Sequence, residues 1–297
     1  MINLILGVLG VLTGWFTFIF GKDLYNNKES LGNNSFAINS GIGLVANFFD
    51  TLGIGSFAII TAAFRGFKQV KDRVIPGTLN VSCTIPIVFQ AFVFMGAIEV
   101  EIVTLVTMIL AAVFGAYLGA GVVSKMDERK IQLIMGVALL TTAFLMVSGQ
   151  MGWMPIGGDA IGLTGTKLVL GIIGNFILGA LMTAGIGLYA PCMALIYVLG
   201  MSPDVAFPIM MGSCAFLMPV ASAKFIKEKA YDRKAAIAIT LSGIIGVFIA
   251  AFIVKSLPIR VLTWLVVTVI TYTGGTLLYS AFNNKDDSNN TFDEAVA

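Results

Sequence analysis

The sequence predicts an all-α integral membrane protein with an inverted-topology repeat. Each half is expected to hold one re-entrant broken-helix hairpin plus three transmembrane helices, and one extra helix precedes them. Three observations lead there. Hydrophobic residues make up 58% of the 297 residues and charged residues only 11%, against roughly 45–50% and ~25% in soluble domains. Two apolar segments carry a Gly-x-Gly break near their middle at corresponding places in the two halves. The basic residues segregate to one side only if those two segments enter and leave on the same side.

The apolar runs are near 20 residues, the length of a membrane-crossing helix rather than a barrel strand. Residues 3–20 are long enough to cross and lack both a basic leader and a small-x-small cleavage site, so they read as a helix that is kept. Single crossings follow at about 77–98, 102–124, 131–148, 205–223, 235–254 and 261–281. Segments 36–66 and 168–199 fit no single crossing. Each would form roughly 46 Å of straight helix at 1.5 Å per residue, too long for one crossing and too short for two. Gly53-Ile54-Gly55 and Gly185-Ile186-Gly187 break them, and glycine lets a helix stop and turn.

The halves match in order. Gly53, Gly55 and Pro76 correspond to Gly185, Gly187 and Pro208 at an offset of 132, and Ser82-Cys83 to Ser213-Cys214 at 131. Lys125 and Lys130 correspond to Lys255 and Arg260 at 130. With re-entrant segments, the loops at 21–35, 65–75, 125–130 and 224–234 and the tail share one side and hold 15 of the 18 Lys and Arg; with crossing segments the split is 9 to 9. The positive-inside rule selects the first arrangement. It puts the chain in a cell (inner) membrane, N-terminus outside and C-terminus cytoplasmic. The expected organisation is 1–35 N-terminal helix and loop, 36–150 first repeat, 151–167 connector, 168–282 second repeat, and 283–297 an acidic disordered tail.

Composition also excludes functions. The chain has no histidine, which removes imidazole acid–base chemistry and most zinc sites. No G-x-x-x-x-G-K-[ST] loop is present. The charge of +2 is too balanced for a nucleic-acid partner. Three cysteines in apolar segments do not make a disulfide framework. An enzyme is not expected, and neither a cofactor nor a metal. Repeated halves with glycine-interrupted segments point instead to a secondary transporter. Opposed hairpins bring two half-helix N-termini, near Ser56 and Leu188, to the membrane midplane. Their free N–H groups and dipoles make an anion site with no buried Lys or Arg.

The candidate substrate-binding residues are therefore Asn47, Gly53, Gly55 and Ser56 at the first bend and Gly185, Gly187, Leu188 and Tyr189 at the second. Asn80, Ser82, Cys83, Ser213 and Cys214 stand at paired positions on the following helices. Small residues there also suit close helix packing. Asn175 and Thr183 flank the second bend, and Gln90 and Asn39 read as interhelical hydrogen-bond partners. Asp50 is the one acidic residue deep in an apolar segment. It reads either as the site of a coupling ion, H⁺ or Na⁺, or as a cap for the half-helix after the bend. The basic loops read as orientation signals that meet anionic lipid, and Glu99, Glu101, Asp159 and Asp204 as external-loop charges.

The stretch GNFILGALMTAGIGLYAPCMALIYVLGMSP (174–203) and the following AFPIMMGSCAFLMPVASAKF resemble the second half of the TauE/SafE sulfite-exporter family, also called the toluene-sulfonate uptake permeases. The family's glycine-rich element ending in proline is matched by Gly185-Ile186-Gly187-Leu188-Tyr189-Ala190-Pro191. In the first half SGIGLVANFFDTLGIGSFAII (40–60) matches more weakly. Tyr189 and Phe57 stand where the family often has glycine, and Ile59 where a proline would repeat Pro191. The resemblance covers about 36–281. It implies transport of small sulfur oxyanions or organosulfur anions such as sulfite, sulfonates or thiosulfate, and in some members carboxylates. An anion channel of the same architecture, or a carboxylate transporter, stays open as an alternative, as do the direction of transport and the oligomeric state.

Overall fold

A computed structural model describes residues 2–29, 31–95, 99–154, 157–253 and 259–283. The acidic tail beyond 283 and Lys255 lie outside the described residues, as does the side chain of Arg260. The described chain is helical: α1 Ile2–Asn26, α2 Phe36–Thr51, α3 Ser56–Gly66, α4 Ile75–Phe94, α5 Ile102–Val123, α6 Glu128–Gln150, α7 Gly165–Met182, α8 Tyr189–Val198, α9 Ala206–Lys227, α10 Arg233–Phe248 and α11 Ile259–Asn283. A turn of π-helix at Ile249–Ile253 continues α10. Among the described residues eight helices are long and apolar enough to cross a membrane, while α3 and α8 are short and apolar. The expected breaks thus fall at 52–55 and 183–188.

Both breaks have the same local cause. Gly53 N–H donates to Asp50 C=O at 2.9 Å and Ile54 N–H to Phe49 C=O at 3.1 Å; Gly185 and Ile186 repeat this with Met182 and Leu181 at 3.0 and 3.4 Å. This pair of bonds is the Schellman ending. It needs a left-handed residue, and Gly53 (φ +85°) and Gly185 (φ +95°) supply it at no steric cost.

The helices pack in matched pairs. α2 lies on α10 and α7 on α5; α3 meets α11 and α8 meets α6; α4 packs on α9, α5 also on α9, and α10 also on α4. Exchanging the two halves maps these pairs onto one another. α4 and α9 form the buried centre, and each carries an interior proline, Pro86 and Pro219. Pro86 cannot donate to the carbonyl of Ser82 four residues back. That carbonyl accepts instead from Thr240 Oγ1 on α10 at 2.9 Å, as buried backbone in an apolar medium requires. Thr84 and Ser222 join α4 to α9 through their hydroxyls at 2.9 Å. Exposed Leu4, Val11, Phe114, Leu118, Val169 and Leu170 cover the outer faces of α1, α5 and α7.

Loops gather at two ends. At one, Ser35 N–H donates to Gln69 Oε1 at 2.9 Å and Asp232 N–H to Thr78 Oγ1 at 2.9 Å. Arg233 pairs with Asp23 at 2.7 Å, Arg65 pairs with Asp72, and Arg129 donates to Ala281 C=O at 2.9 Å. At the other end, Glu101 N–H donates to Ile161 C=O at 2.9 Å, and Gly158 N–H to Met201 C=O at 3.0 Å. Leu163 N–H donates to Thr104 Oγ1 at 2.8 Å. The basic residues Arg65, Arg129 and Arg233 stand at the first of these ends. Glu101 does more than face solvent: it caps α5, accepting from Thr104 N–H at 2.8 Å and Val103 N–H at 3.2 Å. Its hydrogen bonds to Thr104 hold the carboxyl below its ordinary range.

Candidate functional site

The bends meet at a small cavity of about 30 Å³, bordered by Asp50, Gly55 and Ser56 from the first half and Gly187, Leu188, Tyr189 and Ala190 from the second. Ile54, Ile87, Thr142, Met182 and Cys214 also line it. At roughly 10–15 Å³ per water centre this volume holds about two waters. Ser56 is the first residue of α3 and Tyr189 the first of α8, so both half-helix N-termini border one space.

The two N-termini differ. At α3, Asp50 Oδ1 accepts from Ser56 N–H at 2.6 Å, which is the capping role sequence alone left open for it. At α8 the N-cap residue is Leu188, whose side chain makes no capping hydrogen bond. The first-turn N–H groups of Tyr189 and Ala190 have no acceptor within the helix, and Pro191 has no N–H to offer. Ser56 Oγ is buried beside the Asp50 carboxyl and makes no well-formed hydrogen bond among the described residues. A buried polar atom without a well-formed bond calls for an explanation, and an unbound ligand is one.

Asp50 Oδ2 accepts from Gln90 Nε2 on α4 at 2.8 Å and lies 3.3 Å from Tyr189 Oη, which is 3.0 Å from Gln90 Oε1. Asp50, Gln90 and Tyr189 thus join α2, α4 and α8, and all three are buried. Gln90 was expected to pair helices; its partner is the carboxylate at the cavity.

Other expected residues lie away from the cavity. Gly53 lines a wider vestibule of about 440 Å³ with Leu52, Gly149, Met193 and Phe207. That vestibule shares Ile54 and Ala190 with the small cavity. It opens toward the end holding Gly152, Met154 and Pro203. Asn47 donates to Gly43 C=O at 2.9 Å, Asn80 to Pro76 C=O at 2.8 Å, and Ser82 to Leu79 C=O at 3.3 Å. Ser213 Oγ accepts from Asn175 Nδ2 at 2.8 Å. Cys83 is buried beside Ser82 at 3.7 Å, and Gly185 is fixed by its left-handed turn. Cys214 does reach the cavity wall, with Met182 Sδ at 3.6 Å. Among the described residues no group of His, Cys, Asp and Glu could hold a metal ion.

At the end with the basic loops, a cavity of about 1000 Å³ is bordered by Arg65, Lys68, Lys71, Asp72, Glu128 and Asp232. On α3 it reaches no deeper than Phe64 and shares no lining residue with the small cavity. The space between the bends shares lining residues with the vestibule at the opposite end and none with this cavity.

No curated protein and no solved structure matches the chain. A family profile, that of the sulfite exporter TauE/SafE, matches residues 1–146 and 168–295. Taken with the apolar crossing helices, that coverage makes this a multi-pass membrane transport protein, and the chain belongs to the TauE/SafE family.

Proposed function

We propose that the chain is a secondary transporter for a small anion, a sulfur oxyanion or organosulfur compound such as sulfite, a sulfonate or thiosulfate. The anion is held between the half-helix N-termini, and access alternates around two re-entrant hairpins. One observation carries the reading. The N-termini of α3 and α8 and the buried Ser56 Oγ border one cavity that adjoins a vestibule at one end. Helix N-termini bind anions through free N–H groups and their dipole. A site that adjoins a cavity at one end and shares no wall with the cavity at the other fits a transporter better than an open pore. In proteoliposomes, uptake of sulfite, thiosulfate, methanesulfonate or a short carboxylate should saturate and respond to an imposed gradient. Flux that rises linearly with concentration would favour the channel, and no flux of any of these anions in folded protein would defeat the reading.

The topology belongs to the same proposal. The start of α2 and the chain after α3 are hydrogen-bonded through Ser35 and Gln69, and Leu163 before α7 packs with Leu199 after α8 on Gly171. Each broken segment thus returns to the end it left, which supports re-entry and an inverted second half. With the basic end cytoplasmic, the vestibule faces outward. The native cysteines at 83, 192 and 214 are buried, so single-cysteine labelling is clean. Lys227→Cys, at an exposed position, should react with an impermeant maleimide only from the cytoplasmic side, and Asp159→Cys only from outside. Labelling of Lys227→Cys in intact cells would reverse the orientation.

A further inference from the structure

Resting on the transport reading, we propose that Asp50 is a proton site, not a sodium site, and that Tyr189 reports its protonation to the second hairpin. Asp50 Oδ1 receives Ser56 N–H and Oδ2 receives Gln90 Nε2–H. Tyr189 has one hydroxyl hydrogen and two acceptors in reach, Asp50 Oδ2 at 3.3 Å and Gln90 Oε1 at 3.0 Å. When the carboxylate is ionised, Tyr189 donates to it and Gln90 Oε1 loses its donor. When Oδ2 carries a proton, it donates to Tyr189 Oη, Tyr189 donates to Gln90 Oε1, and Gln90 Nε2 donates back to Oδ2. In that ring each of the three side chains both donates and accepts, and only the second hydrogen of Gln90 Nε2 and the Ser56 hydroxyl stand outside it. Protonation therefore reverses the hydroxyl of the first residue of α8 while the heavy atoms stay in place.

Sodium fits the same shell poorly. A sodium ion needs oxygen lone pairs around it, whereas the carboxylate is already faced by an N–H of the backbone, an amide N–H and a hydroxyl. The proton also answers an electrostatic conflict. Asp50 lines the cavity proposed to take an anion, and two negative charges in one buried space repel. The proton enters from water in the vestibule, adds to a carboxylate oxygen as the anion arrives, and leaves to water on the far side with it. The titratable groups facing Asp50 are Tyr189 from α8, Cys83 from α4 and Cys214 from α9. α2 itself has no other, and those of α3 and α10 (Arg65; Arg233 and Lys234) stand at the basic-loop end of their helices; the described part of α11 near the bends adds no Asp, Glu, Lys or Arg.

The probe is methanesulfonate, which carries no proton of its own. In proteoliposomes an inward gradient of one pH unit should accumulate it about tenfold per coupled proton, with sodium replaced by choline throughout. Its inward gradient should in turn carry protons in, read by an internal pH dye. Asp50→Asn should lose the pH-driven accumulation, and Tyr189→Phe should weaken it. As a readout that needs no transport, infrared difference spectra across pH should show a carboxylic C=O band that is missing in Asp50→Asn. Exchange of methanesulfonate without proton movement, accumulation driven by sodium instead, or an unchanged infrared band in Asp50→Asn would each overturn this proposal alone. Absence of exchange for every anion tried would overturn the transport reading and this proposal with it.

Discussion

Gly187→Leu is expected to fold and to abolish anion exchange. A Cβ built on Gly187 meets nothing within 4 Å, and its φ is not left-handed. The backbone therefore accepts a side chain there without strain, and stability should stay within about 1 kcal/mol of the unchanged protein. The space the side chain enters is the one bordered by Ser56, Tyr189 and Ala190, with room for about two waters. An isobutyl group fills it and covers the open first turn of α8. Uptake should fall by about a hundredfold or more, equivalent to ~2.7 kcal/mol of lost binding. Thermal unfolding in detergent and saturable uptake of sulfite or methanesulfonate, measured on the same preparation, separate the two effects. Gly185→Leu is the contrast. There φ is +95° and Cβ lies 3.0 Å from Met135 Cε, so that variant should lose stability as well as transport. A Gly187→Leu protein that transports normally would move the anion away from the bends.

The bends were legible because their cause is local. A Gly-x-Gly in an apolar segment of the wrong length announces a stop, and the structure places the stop within a residue or two of that motif through the same pair of backbone hydrogen bonds. Asp50 was legible as an isolated charge, but its partners were not. Gln90 lies 40 residues away in an apolar run, and nothing in its neighbours distinguishes a glutamine that pairs two helices from one that holds a carboxylate at a cavity. Thr142 reaches the cavity from α6 for the same non-local reason. The Ser-Cys pair stands at matched places on the two central helices, α4 and α9. Yet Ser82 Oγ donates to Leu79 C=O within its own helix and Ser213 Oγ accepts from Asn175 on α7, since matched residues record packing as readily as a shared site. Pro86 and Pro219, 133 residues apart, are a further match between the halves. They mark the two central helices, where a freed carbonyl has to find a partner on a neighbouring helix.

Gly115→Leu should be strongly destabilising. No hydrophobic force separates helix faces from lipid tails, so association rests on close packing, and small residues let backbones approach. Gly115 and Gly119 on α5 face Phe176 and Ala180 on α7. A Cβ at 115 would overlap the carbonyl oxygen of Phe176, and one at 119 would lie 2.6 Å from that of Ala180. From the other side, a Cβ on Gly179 would overlap the carbonyl of Ala112. The obstacle is backbone, which cannot swing aside as a side chain does, so the cost should exceed the usual ~1–3 kcal/mol of overpacking. The consequence reaches the cavity, because α7 leads into the bend at Gly185 and carries Met182 in the cavity wall. Gly41→Leu supplies the control. It lies on the exposed face of α2 with nothing within 4 Å of its Cβ, and gains up to about 1 kcal/mol of helix propensity. Size-exclusion profiles after a temperature series should show Gly115→Leu losing its monodisperse peak well below the unchanged protein, and Gly41→Leu keeping it. Equal loss in both would mean that any bulk on these helices disturbs the fold. Equal retention would mean that α5 and α7 do not hold this close approach in the folded protein.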